Sequence, residues 1–234
     1  MMGAWLFQVE GVVRLAPGHL MVFNTALGLA LVGTALVVGA MFPAARSRVQ
    51  AGAGLAAGAL GALVVMQHFL GVSIGIDWPG LHRLVAETTG NRSPGRMAPA
   101  TGVTFMLIGA VLLLGPRVRN VTQAMAVRIG TLAIVAVGVT TIVGYVLNFS
   151  EMFETYWLTQ VSLITAVLFI LLAGALWLSW RADPGNALRL IKSEDIRIAL
   201  AGALALAISI ACRYCGLLAD ADAHGRRSPG RIRD

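Results

Sequence analysis

Long uninterrupted runs of apolar residues dominate the pattern of this chain, and charged residues are confined to the segments between them. Five runs contain no Asp, Glu, Lys or Arg, and each reaches the roughly 20 residues that an α-helix needs to cross a membrane. Apolar positions within the runs are continuous rather than alternating, which favours helices over the strands of a membrane barrel. The five runs are residues 15–45, 49–76, 97–116, 129–150 and 155–180.

A sixth apolar segment at 196–218 is a weaker candidate, because Arg197 lies at one end and Arg213 lies inside it. Five long apolar runs leave no polar face for a soluble domain to present to water. The first run is not a cleaved signal peptide, since it lacks a basic n-region and further spans follow it. The sequence therefore predicts an all-α integral membrane protein with five to six transmembrane helices.

The distribution of charged residues between the loops predicts how the chain is oriented in the membrane. Only 12% of the residues are charged, about half of the share that soluble domains carry. The loops at 43–50, 116–128 and 181–197 carry nine Lys and Arg residues, whereas the opposite side carries four before residue 213. The positive-inside rule places the first group in the cytoplasm and the N-terminus outside. We therefore read the net charge of +7 as loop bias, and expect the lipid bilayer rather than nucleic acid as a partner.

The organisation along the chain follows from these spans. Residues 1–19 form a predicted outer-face segment, residues 20–180 a five-span membrane domain, and residues 181–195 a cytoplasmic loop. Residues 219–234 are rich in Arg, Gly, Asp and Ser, which predicts a disordered basic tail. Six spans would leave this tail outside, against the same charge rule. Either residues 196–218 do not span, or the tail is not a native end.

The membrane domain repeats itself at a fixed offset, in which Thr25 pairs with Thr101 and Gly33 with Gly109. The offset covers two helices, so the predicted unit is a helical hairpin, at 20–71 and 97–147, and a third copy begins at 157. Threonine hydroxyls and close-approaching glycines favour helix packing in membranes. The residues to which we assign this packing role are Thr25, Gly33, Gly54, Gly58, Thr101, Gly109 and Thr165.

Candidate chemistry in the spans is sparse. The five runs hold no charged residue, which argues against an ion-coupled transporter. His19, His68 and His82 share the predicted outer face and are weak candidates for binding a cofactor, although they lack the spacing of a metal site. The alternative is a histidine at the membrane interface that bonds to a neighbouring backbone group. Cys212 and Cys215 form a Cys-x-x-Cys, a weak redox candidate because no second cysteine pair is present to pass electrons onward.

The outer loop at 77–98 and the smaller outer turn at 148–157 carry aromatic residues and carboxylates. These could line a shallow ligand pocket, or they could be an ordinary aromatic belt with solvated loops, which we favour. The chain contains no phosphate-binding glycine loop, nucleophile elbow or kinase signature. The sequence therefore predicts no enzyme activity, no bound cofactor and no metal.

Two strings, PGHLMVFNTALGL at 17–29 and MAPATGVTFMLIG at 97–109, resemble the multi-span membrane sensor regions that precede bacterial sensor histidine kinases and diguanylate cyclases. The resemblance covers roughly residues 15–180. It implies signal detection in the bacterial inner membrane, with two-component or cyclic-di-GMP output from a cytoplasmic domain. No kinase or cyclase domain follows residue 181, so the expected output domain is missing.

The resulting hypothesis is a membrane-embedded sensory input module without its output domain. Such a module would act as a homodimer or through a separate kinase or cyclase. The first alternative is a small-solute transporter or channel, and the second is a structural membrane scaffold.

Overall fold

The computed structural model describes residues 21–77, 95–146 and 161–181. Within these residues the chain is 83% helical and contains no strand. Five helices are long and apolar enough to cross a membrane, which confirms the predicted all-α membrane class. They are α1 (Phe23–Met41), α2 (Arg46–Leu70), α3 (Pro99–Leu114), α4 (Val121–Val146) and α5 (Leu163–Arg181), and a single 3₁₀ turn (Gly115–Arg117) follows α3. The predicted segments 1–19, 182–195, 196–218 and 219–234 lie outside the described residues.

Glycine and proline set several helix ends. Pro43 comes just beyond α1, where it cannot continue a helix. Gly71 ends α2 with φ of 65°, a left-handed conformation that favours glycine. Pro99 opens α3 at its first position, where its missing N–H would have had no partner within the helix. The turns between consecutive helices are therefore encoded locally.

Side-chain caps begin the other two helices. Asn120 Oδ1 accepts a hydrogen bond from the backbone N–H of Gln123 at 2.8 Å, which caps α4. Ser162 Oγ accepts one from the backbone N–H of Thr165 at 3.2 Å, which caps α5. Each cap supplies an acceptor to an N–H group that the helix itself leaves without one.

The five helices form a closed bundle. Each helix packs against the next one in the chain, and α1 also contacts α5. The most extensive contact joins α2 to α3. Completely buried side chains come from all five helices. They include Val32, Ala57, Phe105, Ile108, Ile134 and Phe169.

Large apolar side chains cover much of the outside of the bundle. Phe69, Ile129 and Leu178 each leave about two thirds or more of their surface uncovered. A soluble monomer rarely exposes apolar patches of this extent, whereas lipid tails solvate them well. This surface and the lengths of the helices make the chain a multi-pass membrane protein.

The fourth helix extends beyond its uncharged run. The run covers residues 129–150, whereas α4 starts eight residues earlier, at Val121, and contains Arg128. Arg128 is buried, with 7% of its surface exposed. It lies about 10 Å along the helix axis from the first residue of α4, at 1.5 Å per residue. Arg46 and Arg48 in α2 and Arg181 in α5 also lie within these helices. All four arginines lie near the end of the bundle that we predict to be cytoplasmic, and of these four Arg128 alone is buried.

Candidate functional site

Five polar side chains meet at one end of α1, α2 and α3, which we call the outer end, following the predicted orientation. We refer to them as the outer polar cluster. The chain leaves α2 at Gly71 and turns again at Gly75, where φ is 80°. This double turn brings the following residues back over the last turns of α2. The cluster consists of Asn24, Gln67, Ser73, Asp77 and Arg96.

Asp77 lies at the centre of the cluster. Its Oδ2 accepts a hydrogen bond from Gln67 Nε2 at 3.3 Å and another from Ser73 Oγ at 3.4 Å. Arg96 Nε forms an ion pair with the same oxygen at 3.6 Å. Asp77 is the only carboxylate residue within 21–77, 95–146 and 161–181. Its charge is therefore balanced locally by Arg96.

Two further hydrogen bonds hold the segment that carries Asp77. Asn24 Nδ2 on α1 donates to the backbone carbonyl of Ile76 at 2.6 Å. Arg96 Nη2 donates to the backbone carbonyl of Val72 at 3.3 Å. The residues after α2 are thus bonded both to α1 and to the segment that leads into α3. A change in the cluster would therefore alter contacts of α1, of α2 and of the segment that leads into α3.

The cluster is buried but incompletely bonded. Gln67 is fully buried and Asp77 is 9% exposed. Within the described part of the chain, Gln67 Oε1 and Asp77 Oδ1 have no hydrogen-bond partner, and Arg96 Nε makes no hydrogen bond beyond its ion pair. A buried polar atom without a partner costs about 1–3 kcal/mol. None of these three atoms is accessible to solvent, so their missing hydrogen bonds are a local energetic cost that the other contacts of the cluster offset.

The glycines of α2 face those of α3 across the closest contact in the bundle. A Cβ added at Gly109 would lie 2.6 Å from the carbonyl oxygen of Gly54 and 2.8 Å from the Cα of Gly58. Gly61 and Gly102, which the sequence analysis did not single out, meet in the same way one to two turns further toward the outer end. Backbones at this separation leave no room for a side chain, which is the arrangement that small residues permit in membranes.

Gly33 is paired with Gly109 in the predicted repeat, but its surroundings are different. An added Cβ at Gly33 meets no atom within 4 Å, so nothing there requires a glycine. On α1 the close approach occurs at Gly28 instead, where an added Cβ would lie 2.6 Å from the ring of Phe105. The packing role assigned to Gly33 therefore has no contact to support it, because Gly33 does not face a neighbouring helix closely.

The three threonines assigned to packing, Thr25, Thr101 and Thr165, are all buried near the first turns of α1, α3 and α5. Thr165 Oγ1 lies 2.8 Å from Ser162 Oγ at the start of α5. Thr104, which the sequence analysis did not nominate, donates to the backbone carbonyl of Ala100 at 2.8 Å. That bond returns to the preceding turn of the same helix, as threonines in membrane helices commonly do.

His68 bonds to the backbone of its own helix. Its Nδ1 lies 2.9 Å from the carbonyl oxygen of Val64 and donates to it. His19, His82, Cys212 and Cys215 lie outside the described residues. Among the residues that are described, no group of three or more His, Cys, Asp and Glu side chains could hold a metal ion.

A second polar contact links helices at the opposite, inner end. Trp180 Nε1, at the end of α5, donates to Gln50 Oε1, near the start of α2, at 3.1 Å. Both side chains are buried, and the indole ring of Trp180 packs directly against Gly115 beyond the end of α3. We call this contact the inner link. It joins the last described helix to the first predicted hairpin.

Sequence reasoning did not nominate Gln50, Gln67 or Trp180. The sequence did contain a signal for the two glutamines, because Gln50 and Gln67 are the only amide side chains in α2. A buried amide must find hydrogen-bond partners, so each marks a place where another element approaches. What the sequence lacked was the identity of the partner, which lies 10 residues away for Gln67 and 130 residues away for Gln50.

Comparisons with known proteins do not add an identity to this geometry. The chain matches no protein-family model, no curated protein and no solved structure.

Proposed function

We propose that this chain is a membrane-embedded sensory or signalling input module of the bacterial inner membrane, oriented with its N-terminus outside. The observation that carries the proposal is the inner link. In this role α5 leads from the bundle toward the cytoplasm, and Trp180 ties its last turn to the start of α2. A movement of α2 would therefore reach the end of the last described helix directly.

The outer polar cluster supports the same proposal from the other end of α2. Gln67 lies in the last turn of α2 and Gln50 in its second turn. A helix of 25 residues is about 37 Å long, so α2 covers the thickness of the hydrocarbon core. A stimulus that repacks the cluster would tilt or shift α2, and the inner link would pass this shift to α5. Such coupling needs an element with two discrete packings.

The output in this proposal comes from a separate histidine kinase or diguanylate cyclase, or from a homodimer that recruits one. The chain itself carries out no catalysis in this role. The lipid bilayer is its immediate partner. The support from sequence is the resemblance of residues 17–29 and 97–109 to such input regions.

The test is a distance measurement across the inner end, on the full chain in lipid nanodiscs. Spin labels are attached at Arg48→Cys and Leu178→Cys, two exposed positions on α2 and α5, in a background in which Cys212 and Cys215 are replaced by Ser. We expect the distance distribution to change when Gln67→Met disturbs the outer polar cluster. Met66→Leu, a change at an exposed neighbouring position, is the control and should leave the distribution unchanged.

An identical distance distribution in the wild type and in Gln67→Met would overturn the proposal, because the two ends of α2 would then be uncoupled. Solute uptake by proteoliposomes containing the wild-type chain would also contradict it. That result would favour the small-solute transporter or channel.

A further inference from the structure

Positive charge is concentrated at the inner end of the bundle. The arginines at this end come from α2, from the 3₁₀ turn and the residues just after it, from α4 and from α5. They are Arg46, Arg48, Arg117, Arg119, Arg128 and Arg181. Asp77 is the only carboxylate in the described ranges, and it belongs to the outer polar cluster at the opposite end. No carboxylate among the described residues therefore balances the charge of the inner end.

Two of these arginines are carried by backbone that meets at Trp180. Arg181 directly follows Trp180 at the end of α5. Arg117 ends the 3₁₀ turn whose first residue, Gly115, packs against the indole ring of Trp180. The same turn also contacts α2. Arg117 is exposed and Arg181 is half-buried, so both present surface outside the bundle.

Arg46 lies beside the other half of the inner link. It precedes Gln50 by four residues, which places both on one face of α2. Arg46 Nε donates to the backbone carbonyl of Gly39 at 3.2 Å. A Cβ added at Gly39 would lie 3.2 Å from Arg46 Cγ and 3.2 Å from Gln50 Nε2. Arg48, only two residues further along, lies on a different face of α2 and is exposed.

The inner link thus brings three arginines from three elements to one place. We call them the inner arginine group: Arg46, Arg117 and Arg181. Like charges at this separation from any described carboxylate favour an anionic partner. A guanidinium group matches phosphate oxygens with paired hydrogen bonds. The end of a membrane-length helix lies at the level of lipid headgroups, where such phosphates are found.

The net charge of the headgroup decides which lipid is favoured. In a zwitterionic phospholipid the ammonium group cancels the charge of the phosphate, and it would add a further cation beside the arginines. An anionic phospholipid carries a net negative charge. Clusters of basic residues at the membrane surface attract anionic lipids for this reason. Leu114 and Leu178, near the inner ends of α3 and α5, expose 42% and 68% of their surface and supply apolar contact for acyl chains.

We propose that the inner arginine group binds the headgroup of an anionic phospholipid. The lipid phosphate accepts hydrogen bonds from the guanidinium groups of Arg117 and Arg181, and Arg46 adds its charge beside them. The acyl chains lie against Leu114 and Leu178. The bound lipid holds the ends of α2, α3 and α5 together around the inner link. This inference goes beyond the proposed function and does not rest on it, because the lipid binds whether or not the bundle transmits a signal.

The experiment is native mass spectrometry of the full chain in a non-ionic detergent, titrated with dioleoylphosphatidylglycerol. Using the full chain keeps acidic residues outside the described ranges, such as Asp183, present as competitors for the arginines. Dioleoylphosphatidylcholine has the same acyl chains without net charge, and glycerol 3-phosphate has the phosphate without acyl chains. We expect saturable binding of the phosphatidylglycerol, weaker binding of the phosphatidylcholine and none of glycerol 3-phosphate. This comparison uses the wild-type chain alone.

Matched variants locate the site. Arg117→Gln and Arg181→Gln should each weaken phosphatidylglycerol binding about five-fold, the contribution of one arginine near a membrane surface. Arg48→Gln removes the same charge at the same end of the bundle and should leave binding nearly unchanged. Equal weakening by Arg48→Gln would show a diffuse attraction to the whole inner end and overturn the site. Equal binding of the two lipids, binding of glycerol 3-phosphate as tight as that of the lipid, or unchanged binding in Arg117→Gln and Arg181→Gln would also overturn it.

Discussion

The ring of Phe105 on α3 meets the ring of Phe169 on α5 edge to face, with centroids 5.9 Å apart and an angle of 81° between the ring planes. The same ring of Phe105 lies against Gly28 of α1, where a side chain would overlap it. Phe105 therefore contacts helices from all three predicted copies of the repeat. Edge-to-face pairs contribute about 0.5–1.5 kcal/mol beyond the burial of their area.

Replacing Phe105 should destabilise the bundle strongly. We expect Phe105→Ala to lower the free energy of unfolding by about 3–5 kcal/mol, because it removes a fully buried ring and leaves a cavity. The measurement is unfolding of the detergent-solubilised chain by SDS, followed by circular dichroism. Val103→Ala, at an exposed position of the same helix, is the control. A loss as small in Phe105→Ala as in Val103→Ala would contradict the central position of the ring.

Gly109 and Gly33 offer a matched pair at equivalent positions of the predicted repeat. We expect Gly109→Ala to cost about 1–3 kcal/mol, because the new methyl group overlaps the backbone of α2 and the helices must separate. Gly33→Ala should leave stability unchanged or slightly raised, since it adds helix propensity in open space. Thermal denaturation of both variants decides this prediction. Equal melting temperatures would show that the α2–α3 contact is looser than the structure describes.

The inner link predicts a measurable coupling between two distant positions. Trp180→Phe removes the indole N–H, and Gln50→Met removes its acceptor. A double-mutant cycle on unfolding free energies should give a coupling of about 0.5–1.5 kcal/mol, the net contribution of one hydrogen bond. Trp180→Phe combined with Val103→Ala, at an exposed position of α3, should be additive. A coupling near zero for Trp180 and Gln50 would argue that the hydrogen bond contributes nothing.

Arg96 and Asp77 should depend on each other. We expect Arg96→Gln to destabilise the chain by about 1–3 kcal/mol, because Asp77 then keeps a buried charge without its counter-charge. Adding Asp77→Asn should restore part of this loss by removing that charge. SDS unfolding of the wild type, of Arg96→Gln and of the double variant measures their relative stabilities. A double variant less stable than Arg96→Gln alone would contradict the pairing.

Much of the fold was accessible from the sequence, because the requirement for membrane-length apolar helices is strong and local. The uncharged runs located all five described helices. Their ends follow from Pro43, Gly71 and Pro99, which the sequence analysis did not use. The start of α4 lies outside its uncharged run. An uncharged run ends at the first charged residue, whereas a helix continues as long as its backbone bonds are satisfied and its side chains find partners, as α4 does through Arg128.

The candidate site was less accessible. The sequence places Asp77 in a loop that we expected to be solvated, and only the turn after Gly71 brings it over Gln67. The contacts of individual glycines were also not predictable from the sequence alone. Gly33 and Gly109 are alike in their local sequence, yet only Gly109 faces another backbone. Local pattern identifies residues that can pack closely, and the arrangement of the helices decides which of them do.

The glycine contact between α2 and α3 also has a consequence for the order of assembly. Gly54 and Gly58 belong to the first predicted hairpin, and Gly109 belongs to the second. Neither hairpin alone can complete this interface, so a newly inserted first hairpin holds an open glycine face in the lipid until the third helix is synthesised. During biosynthesis, the arrival of α3 is thus the event that first joins the two halves into one structure.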